Sequence, residues 1–440
     1  MGVVVLGAGV AGESFVAALR RLDPEIQITV VEQELAGGEC SYWACIPSKT
    51  MLRPLEVAFR ARVAPGTSLG GVDVAQVVAW RDDVSAKDDA SQVRWLQGLG
   101  ARFVRGRAEV VEPGRVDVEG TAYDYDELLV ATGSSAAAPP VKGLDDAGFW
   151  TSRDATTATD VPESLTVVGG GAVGCEMAQF YARAGSRVNL VQSGRTLLER
   201  VDAEAGELLA ETLADEGVEV VTSTKPNTVE RAGGLVRLGC EGRAEAFEST
   251  HLLIATGRRP NTHGFGLERL PVEIGKTGLV VDDRMRAGDG VWAVGDVTGV
   301  AQFTHVGKYQ GRVAAANVAG REARADYRAI PAAIFTDPQV ASVGDTSGEG
   351  AVTSKWSIES VSRASTYARP KRPGFVKLFA APEEGVLVGA VAVGPEAGEW
   401  LGQLTLAVRA RVPVETLRDT IQPFPTFSEA IYFAARELPL

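Results

Sequence analysis

The chain has 440 residues, of which 45% are hydrophobic and 23% are charged, a composition typical of globular proteins rather than disordered or fibrous ones. At roughly 150 residues per domain, this length suggests about three domains. Its 44 lysines and arginines and 57 aspartates and glutamates give a charge of −13, which argues against a nucleic-acid binder that works by bulk charge. Four cysteines do not make a secreted disulfide scaffold, and three histidines argue against a multi-histidine metal site.

The sequence shows no targeting or membrane signal. The opening MGVVVLGAGVAGESF has no basic stretch before its apolar run, and Glu13 interrupts it, so a secretory signal is not expected. No run of 18 apolar residues occurs, so no membrane span is expected. The sequence predicts a soluble cytoplasmic protein that partners neither nucleic acid nor membrane.

The first motif in chain order is a glycine-rich turn between an apolar strand and a helix. Gly7, Gly9 and Gly12 form a GxGxxG pattern, a helix is predicted over residues 13–21, and the next strand ends on Glu32. The glycines allow the backbone to approach a pyrophosphate, the helix N-terminus stabilises its charge, and the acid can accept from a ribose hydroxyl. This context predicts a dinucleotide-binding module.

Two cysteines stand close together in the next segment, which runs Gly-Gly-Glu-Cys-Ser-Tyr-Trp-Ala-Cys-Ile-Pro-Ser-Lys. Cys40 and Cys45 can form a disulfide if the four residues between them coil as a helical turn. A zinc site would need two further ligands, and Cys175 and Cys240 lie far away in sequence. A buried-core role for both cysteines is the third interpretation, which the flanking glycines and Pro47 disfavour.

The glycine-rich module is repeated. Gly169, Gly171 and Gly174 again follow an apolar strand and open a helix, and each module has a later strand that closes on Ala-Thr-Gly, at 131–133 and 255–257. Where an acid would mark an NAD site, the second module has Gln192, followed by Arg195. Because no carboxylate at this point repels a 2′-phosphate, NADPH is mildly favoured over NADH, although the glutamine could also serve a ribose hydroxyl.

After the second module the composition changes. Segments at 374–379 and 385–390 are predicted as strands of an antiparallel sheet, and helices are predicted near 396–410 and 427–437. The basic cluster at 369–373 is interpreted as a solvated turn. The predicted fold class is α/β, with two tandem doubly wound, Rossmann-like nucleotide-binding domains and a C-terminal α+β domain.

Taken together, these motifs resemble the class I pyridine nucleotide–disulfide oxidoreductases, which include dihydrolipoamide dehydrogenase, glutathione reductase and mercuric reductase. The resemblance covers the whole chain and rests on the segment from Gly37 to Lys49, on Gly295-Asp296, and on the stretch from Phe335 to Gly344. It implies a homodimer with an FAD-binding domain at 1–146 and 271–324, an NAD(P)-binding domain at 147–270 and a dimerisation domain at 325–440.

The resemblance also implies roles for individual residues. Cys45 would be the thiol nearest the flavin, Cys40 the interchange thiol that meets substrate, and Lys49 and Glu176 an ion pair beside the reactive edge of the flavin. The residues implied for FAD are Gly7, Gly9, Gly12, Glu32, Gly38, Lys49, Ala108, Thr132, Gly133 and Asp296. Those implied for the nicotinamide cofactor, NADPH or NADH, are Gly169, Gly171, Gly174, Gln192, Arg195 and Gly257.

Three features depart from the family pattern: Phe424, Glu39 and the Ser-Tyr-Trp-Ala segment between the cysteines, which is bulkier than the usual Leu-Asn-x-Gly. Phe424 stands where the family has a histidine that protonates the leaving thiolate, and loss of such help typically costs about 10²–10⁴-fold in rate. Glu39 stands where the family often has threonine near the FAD pyrophosphate, and we expect its side chain to turn into solvent. His305 is the best candidate for a replacement acid–base group, with a buried structural histidine as its alternative role.

The leading hypothesis is an FAD enzyme that passes electrons between NAD(P)H and a small-molecule or protein disulfide or dithiol through a redox-active Cys40–Cys45 pair. The second is an NAD(P)H:quinone or other electrophile reductase that uses the flavin directly. The third is a flavin-bound redox sensor without catalytic activity.

Overall fold

A computed structural model describes residues 1–367 and 374–440. The basic cluster at 369–373 lies outside the described residues, so its interpretation as a solvated turn stays a prediction. The structure contains four 3-10 turns at Leu267–Arg269, Gly295–Thr298, Ile358–Ser360 and Ser362–Thr366 in the described ranges. In this part of the chain, no helix is long and apolar enough to cross a membrane.

Helices and strands are interleaved along the chain from its first residues onward. Residues 1–137 contain β1 (Gly2–Leu6), α1 (Val10–Leu22), β2 (Gln27–Glu32), α2 (Gly38–Tyr42), α3 (Cys45–Val63), α4 (Val74–Val84), α5 (Ala90–Gly98), β3 (Arg102–Arg105), β4 (Ala108–Glu112), β5 (Arg115–Val118), β6 (Thr121–Asp124), β7 (Glu127–Val130) and β8 (Ser134–Ala136).

Residues 138–257 contain α6 (Leu144–Ala147), α7 (Ser152–Thr157), β9 (Ser164–Val168), α8 (Ala172–Ala184), β10 (Arg187–Val191), α9 (Ala203–Asp215), β11 (Glu219–Val221), β12 (Pro226–Ala232), β13 (Leu235–Cys240), β14 (Phe247–Ser249) and β15 (His251–Ile254). Residues 258–440 contain β16 (Arg258–Pro260), β17 (Arg286–Gly288), β18 (Val291–Ala293), α10 (Thr304–Val318), β19 (Pro331–Ile334), β20 (Gln339–Gly344), β21 (Val352–Ser357), β22 (Phe375–Ala381), β23 (Val386–Gly394), α11 (Ala397–Ala410), α12 (Val414–Asp419) and α13 (Glu429–Arg436).

The chain divides into two compact units. The first consists of Met1–Pro47, Asp82–Ala137 and Arg258–Asp326. Its main sheet has six strands in the order β17-β18-β7-β1-β2-β3, and all neighbours are parallel except β17 and β18. Because β1 continues to β2 on one side while β7 lies on the other, the carboxyl end of β1 is a topological switch point, where nucleotides bind in doubly wound sheets. The apolar side chains of β1 are buried, as expected for a parallel strand covered on both faces.

The second unit consists of Ser48–Arg81, Ala138–Gly257 and Tyr327–Leu440. Its parallel sheet has the order β11-β10-β9-β15, in which β9 holds the central place that β1 holds in the first unit. A second sheet of five strands, β19-β20-β23-β22-β21, is antiparallel and shares a buried apolar core with α11 and α13. The predicted strands at 374–379 and 385–390 are the paired strands β22 and β23.

The predicted fold class is confirmed: two doubly wound parallel sheets are followed by an α+β region. The helix predicted over residues 13–21 begins three residues earlier, at Val10, because the glycine turn already enters the helix. The predicted domain boundaries stay a prediction, since the division into compact units is coarser than three domains.

Candidate active site

In the first unit, the turn between β1 and α1 is shaped by close backbone approach. Gly7 has φ +107°, and a Cβ there would collide with the carbonyl of Ala131 at the end of β7. A Cβ on Gly12 would collide with the carbonyl of Gly7, so this helix packs against its own turn only through a glycine. These two positions require glycine for fold geometry, whereas a Cβ on Gly9 would meet only the Cα of Gly38, at 3.9 Å.

The segment before the cysteines closes the other side of this turn. Gly37 donates its backbone N–H to the carbonyl of Ala8 at 2.8 Å, and a Cβ on Gly38 would come within 2.8 Å of the Cα of Gly9. No side chain caps the N-terminus of α1, so its first N–H groups are available to an anion. A Cβ on Gly133, which lies between β7 and β8, would meet only open space. This glycine-walled cradle fits the pyrophosphate of a dinucleotide such as FAD.

Glu32 lies at the end of β2 and binds backbone N–H groups of the glycine turn and of the residues after β2. Its Oε2 accepts the N–H of Ala8 and its Oε1 accepts the N–H of Glu34, both at 2.8 Å. Burial raises the pKa of Glu32, and these two backbone hydrogen bonds oppose the shift. The carboxylate therefore stabilises the turn, and its remaining lone pairs can accept from a ribose hydroxyl.

The cysteine pair lies on two short helical starts in the same unit. Cys40 belongs to α2 and Cys45 begins α3, where Pro47 is tolerated because the first helical turn needs no donor from it. Both cysteines are half-buried, and no disulfide joins them in this structure. A hydrogen bond to Cys45, with burial, raises the pKa of Cys40 well above its usual range. The two thiols are therefore hydrogen-bonded to each other.

A residue that the sequence reasoning missed touches this pair. The Oγ1 of Thr304, the first residue of α10, lies 3.6 Å from the Sγ of Cys45, and its hydrogen bonding lowers the pKa of Cys40. No local pattern marks this threonine, because 259 residues separate it from Cys45. Its neighbour His305 is exposed and stacks on Phe303 with the ring centroids 5.2 Å apart. The alternative of a buried structural histidine at 305 is therefore wrong.

A charged network surrounds Asp296, which follows β18. Ser134 donates its hydroxyl to Asp296 Oδ2 at 2.6 Å, and the Nε of Arg258 donates to the same hydroxyl at 2.7 Å. Arg258 also donates through both Nη atoms to the carboxylate of Glu39, at 3.2 and 2.9 Å. The expectation that Glu39 turns into solvent is therefore wrong: an arginine 219 residues away holds it.

Two further residues implied for FAD, Thr132 and Ala108, lie near strand ends in this unit. Thr132 donates its hydroxyl to the carbonyl of Asn261 at 2.7 Å, and the side-chain amide of Asn261 returns a bond to the carbonyl of Thr132 at 2.9 Å. Ala108 is buried and begins β4, opposite Val118 of β5. In this unit the structure thus brings the glycine cradle, the cysteine pair and the network around Asp296 together.

The second unit repeats the cradle of the first. A Cβ on Gly169 would collide with the carbonyl of Ala255, and one on Gly174 with the carbonyl of Gly169, as in the first motif. Gln192 occupies the position equivalent to Glu32. Its Oε1 accepts the N–H of Gly170 at 2.9 Å, as Glu32 accepts the N–H of Ala8 in the first unit. A Cβ on Gly171 would meet open space. The same holds for Gly257, so this cradle also fits a dinucleotide.

The loop after β10 carries charges of both signs. Arg195 is exposed. Glu199, which the sequence reasoning passed over, places a carboxylate oxygen so close to Gly194 that a methyl group there would clash, with the amide nitrogen of Gln192 beside it. The acid that β10 lacks at its own end is thus supplied a few residues later.

Lys49 and Glu176 form the predicted ion pair in the second unit. The Nζ of Lys49 lies 2.7 Å from Oε2 of Glu176, and Oε1 of the same carboxylate accepts the backbone N–H of Phe335 at 2.9 Å. The ammonium also lies 4.9 Å from the centroid of the Phe335 ring. Glu176 is buried and belongs to α8, so its partner ammonium is held by a carboxylate on a regular helix.

The remaining cysteines and the C-terminal segment agree with structural roles. Cys175 is fully buried, and burial raises its pKa well above the usual range, while Cys240 is buried in β13. Glu429 accepts the N–H of Thr426 at 3.3 Å, a local bond at the start of α13. Phe424 leaves 73% of its surface exposed.

Comparison with known proteins places this geometry in a family. Residues 1–323 match the model of the pyridine nucleotide-disulphide oxidoreductases, and residues 330–435 match the dimerisation domain of the same family. The chain is 35% identical to a mercuric reductase of Acidithiobacillus ferrooxidans over 99% of its length and 82% of that protein. It is 33% identical to a dihydrolipoyl dehydrogenase of Thermus scotoductus, covering 99% of this chain and 97% of that protein.

Among solved structures, LpdA from Mycobacterium tuberculosis superposes with a TM-score of 0.89 at 31% identity, with 99% of each chain covered. The matched models span nearly the whole chain, and the two glycine cradles fit the two cofactors of this family, FAD and a pyridine nucleotide. The chain belongs to the pyridine nucleotide-disulphide oxidoreductases, as an NAD(P)H-dependent, homodimeric flavoprotein.

Proposed function

We propose that this enzyme passes electrons between NAD(P)H and a disulfide or dithiol substrate through Cys40 and Cys45. The observation that carries the proposal is the hydrogen-bonded thiol pair, which lies in the same compact unit as the first nucleotide cradle. The relatives from Acidithiobacillus and Thermus are enzymes by name, which supports catalysis over an inert redox sensor. FAD, bound through the first cradle and Asp296, would take a hydride from the nicotinamide and exchange two electrons with the thiol pair.

The two cysteines divide the chemistry between them. Cys40 would attack one sulfur of a substrate disulfide, giving a mixed disulfide and one free substrate thiol that takes up a proton. Cys45 would then attack Cys40, releasing the second substrate thiol and leaving the Cys40–Cys45 disulfide. Substrate gains two electrons and two protons, and the pair is oxidised. In the reverse direction the same steps oxidise a dithiol.

Phe424 bears on which substrates suit this site. A phenyl ring cannot protonate a leaving thiolate. A substrate disulfide whose leaving thiol is acidic would therefore lose less rate at this site than one with an ordinary thiol. His305 stays a proposed proton carrier in this scheme. We therefore propose a disulfide with an acidic leaving thiol as the acceptor.

Cysteine variants test the proposal. In Cys40→Ser and Cys45→Ser, disulfide reduction should fall by at least about 10³-fold, because serine cannot form the mixed or internal disulfide. Cys240→Ser serves as the matched control, since that cysteine is buried in β13 outside the pair. Disulfide reduction that survives in both active-site variants would contradict the relay.

The second candidate function is direct reduction of a quinone or other electrophile at the flavin. The observation in its favour is Phe424, because a phenyl ring suits an apolar acceptor that needs no proton from a side chain. This function predicts that both cysteine variants keep most of their quinone activity. Measuring disulfide and quinone reduction on the same preparations separates the two functions.

For the nicotinamide cofactor, we propose a small preference for NADPH, supported by Gln192 and the exposed Arg195. Glu199 opposes it, because its carboxylate would repel a 2′-phosphate. Arg195→Gln should lower the ratio of NADPH to NADH in kcat/KM, and Glu199→Gln should raise it, each by about 3- to 10-fold. A ratio that neither change moves would place the 2′-position away from this loop.

A further inference from the structure

One arginine binds two carboxylates beside the first nucleotide cradle. Arg258 contacts Glu39 with both Nη atoms, Ser134 with its Nε and with Nη2 on the carbonyl at 2.6 Å, and its Nε lies 3.9 Å from Asp296 Oδ2. Only 23% of the Arg258 side chain and 19% of the Glu39 side chain are exposed. A forked guanidinium with all its branches engaged in a half-buried site is held in one orientation.

The three charged side chains of this network carry a net formal charge of −1 with Arg258 and would carry −2 without it. Glu39 and Asp296 bring two negative charges, and Arg258 brings one positive charge. Burial raises the pKa of Asp296, the Ser134 hydrogen bond and Arg258 lower it, and Glu39 raises it. The ionised form of Asp296 therefore depends on the arginine and is opposed by the neighbouring glutamate.

Glu39 also lies next to the place that an anionic cofactor would occupy. It follows Gly38, whose Cα packs against Gly9 in the cradle at the N-terminus of α1. A carboxylate here would repel a pyrophosphate, because both are negative and partly shielded from water. Glu39 can be tolerated beside the cradle only if a cation cancels its charge.

We propose that Arg258 is a cofactor-positioning residue that cancels the charge of Glu39 beside the FAD pyrophosphate and keeps Asp296 ionised for the cofactor. The proposal rests on the placement of FAD in the first cradle, as in the proposed function. In this proposal Glu39 fixes the position of Arg258 where α2, β8 and β16 meet, and Arg258 neutralises the negative charge of Glu39.

Reconstitution of the apoprotein with FAD, followed by quenching of flavin fluorescence, measures the dissociation constant directly. Arg258→Met should weaken FAD binding by about 10- to 100-fold, the usual range for coupled charges. Glu39→Gln should change it by less than about 3-fold, because it removes a repulsive charge together with a fixing contact. The double variant E39Q/R258M should regain at least about 10-fold over Arg258→Met, since the repulsion is gone.

The pH dependence of binding gives a second measurement. In Arg258→Met, FAD should bind more tightly as pH falls from 8 to 5.5, because protonation of Glu39 or Asp296 removes the uncompensated charge, whereas the parent protein should show a much flatter profile. Arg258→Lys keeps the positive charge and should stay within about 5-fold of the parent. It also provides a usable variant if the methionine change prevents folding.

Arg259→Met is the matched control, because Arg259 is the next residue on β16 and is exposed. Equal FAD affinity in Arg258→Met and Arg259→Met would overturn the proposal. So would a loss in Glu39→Gln as large as in Arg258→Met without recovery in the double variant, which would indicate a purely structural pair. These results are independent of the cysteine variants, so failure of the disulfide relay and failure of this charge balance can be told apart.

Discussion

At the scale of single residues, the thiol pair depends on a hydroxyl group as well as on its own sulfurs. Thr304 contacts Cys45 from the first turn of α10, where the N-terminal end of the helix also favours negative charge. A donated hydrogen bond and a helix terminus both stabilise a thiolate. Thr304 and the N-terminus of α10 can therefore stabilise a thiolate of this pair without an imidazole.

Removing the Thr304 hydroxyl should therefore raise the pKa of Cys45. In a Cys40→Ser background, Thr304→Val should shift the pH dependence of alkylation by iodoacetamide upward by about 0.5 to 1 pH unit, the value of one hydrogen bond. Thr304→Ser keeps the hydroxyl and should leave the profile unchanged. An identical profile for valine and serine would show that the contact does not tune the thiol.

Glu13 is a second residue whose environment has a measurable consequence. Burial raises its pKa from 4.5 to about 7, with Lys308 lowering it and Glu32 raising it, and its Oε1 is buried without a hydrogen-bond partner in the described residues. Because the folded state holds the proton more tightly, this glutamate stabilises the fold fully below pH 4.5, and that contribution is lost as pH rises through about 7.

Glu13→Gln should consequently stabilise the protein at pH 8 by about 3 kcal/mol and at pH 5 by less than about 1 kcal/mol, since each pKa unit corresponds to about 1.4 kcal/mol. Thermal unfolding at the two pH values measures the difference. The same change in stability at both pH values would mean that the fold does not raise the pKa of Glu13.

At the scale of elements, one face of α8 holds the strand ends of the C-terminal sheet. Glu176, Gln179 and Arg183 lie on this face at intervals of three and four residues. Gln179 accepts the N–H of Asp337 at 2.7 Å and donates to its carbonyl at 2.9 Å, and Arg183 contacts the Asp337 carboxylate at 3.2 Å. The helix that begins at the second cradle is thereby fixed by side chains along its length.

Arg183 and Glu216 form the most buried ion pair of this element, with 8% and 7% of their side chains exposed and Nη2 to Oε1 at 2.6 Å. Arg183→Met should destabilise the protein by about 3 to 5 kcal/mol, because two carboxylates lose their buried partner. Lys225→Met, which removes an exposed pair with Glu241, should cost less than about 1 kcal/mol. Equal losses in urea unfolding would contradict this assignment.

At the scale of the whole molecule, the family model shows a dimerisation domain at residues 330–435. Two large apolar side chains in it, Ile421 and Phe424, are 95% and 73% exposed in the single chain. Exposed apolar residues in a domain that pairs with a second copy are expected to be buried by that copy.

Glutamate at both positions, Ile421→Glu with Phe424→Glu, should weaken the dimer by at least about 10-fold, because burying a charge in an apolar interface is unfavourable. Sedimentation over a range of concentrations measures the dissociation constant. Val280→Glu is the control, since Val280 is an apolar residue with 43% of its surface exposed that lies outside the dimerisation domain. An unchanged dimer would place this segment outside the interface.

Local patterns in the sequence determine much of this protein. Both glycine turns, the buried strands before them, the cysteine pair and the antiparallel C-terminal strands follow from spacing and composition, because strand and helix periodicity and the conformational freedom of glycine act within a few residues. The substitution of histidine by Phe424 is also visible in the sequence alone, since it needs only a motif for comparison.

Tertiary structure decided what depends on contacts between distant residues. Glu39 meets Arg258 across 219 residues, and Thr304 meets Cys45 across 259 residues. No local sequence pattern predicts these contacts, because the packing of the folded chain determines which side chains meet. The sequence by itself therefore determined the fold, the cofactor class and the position of the cysteine pair, while only the folded chain decided which charges and hydroxyls surround them.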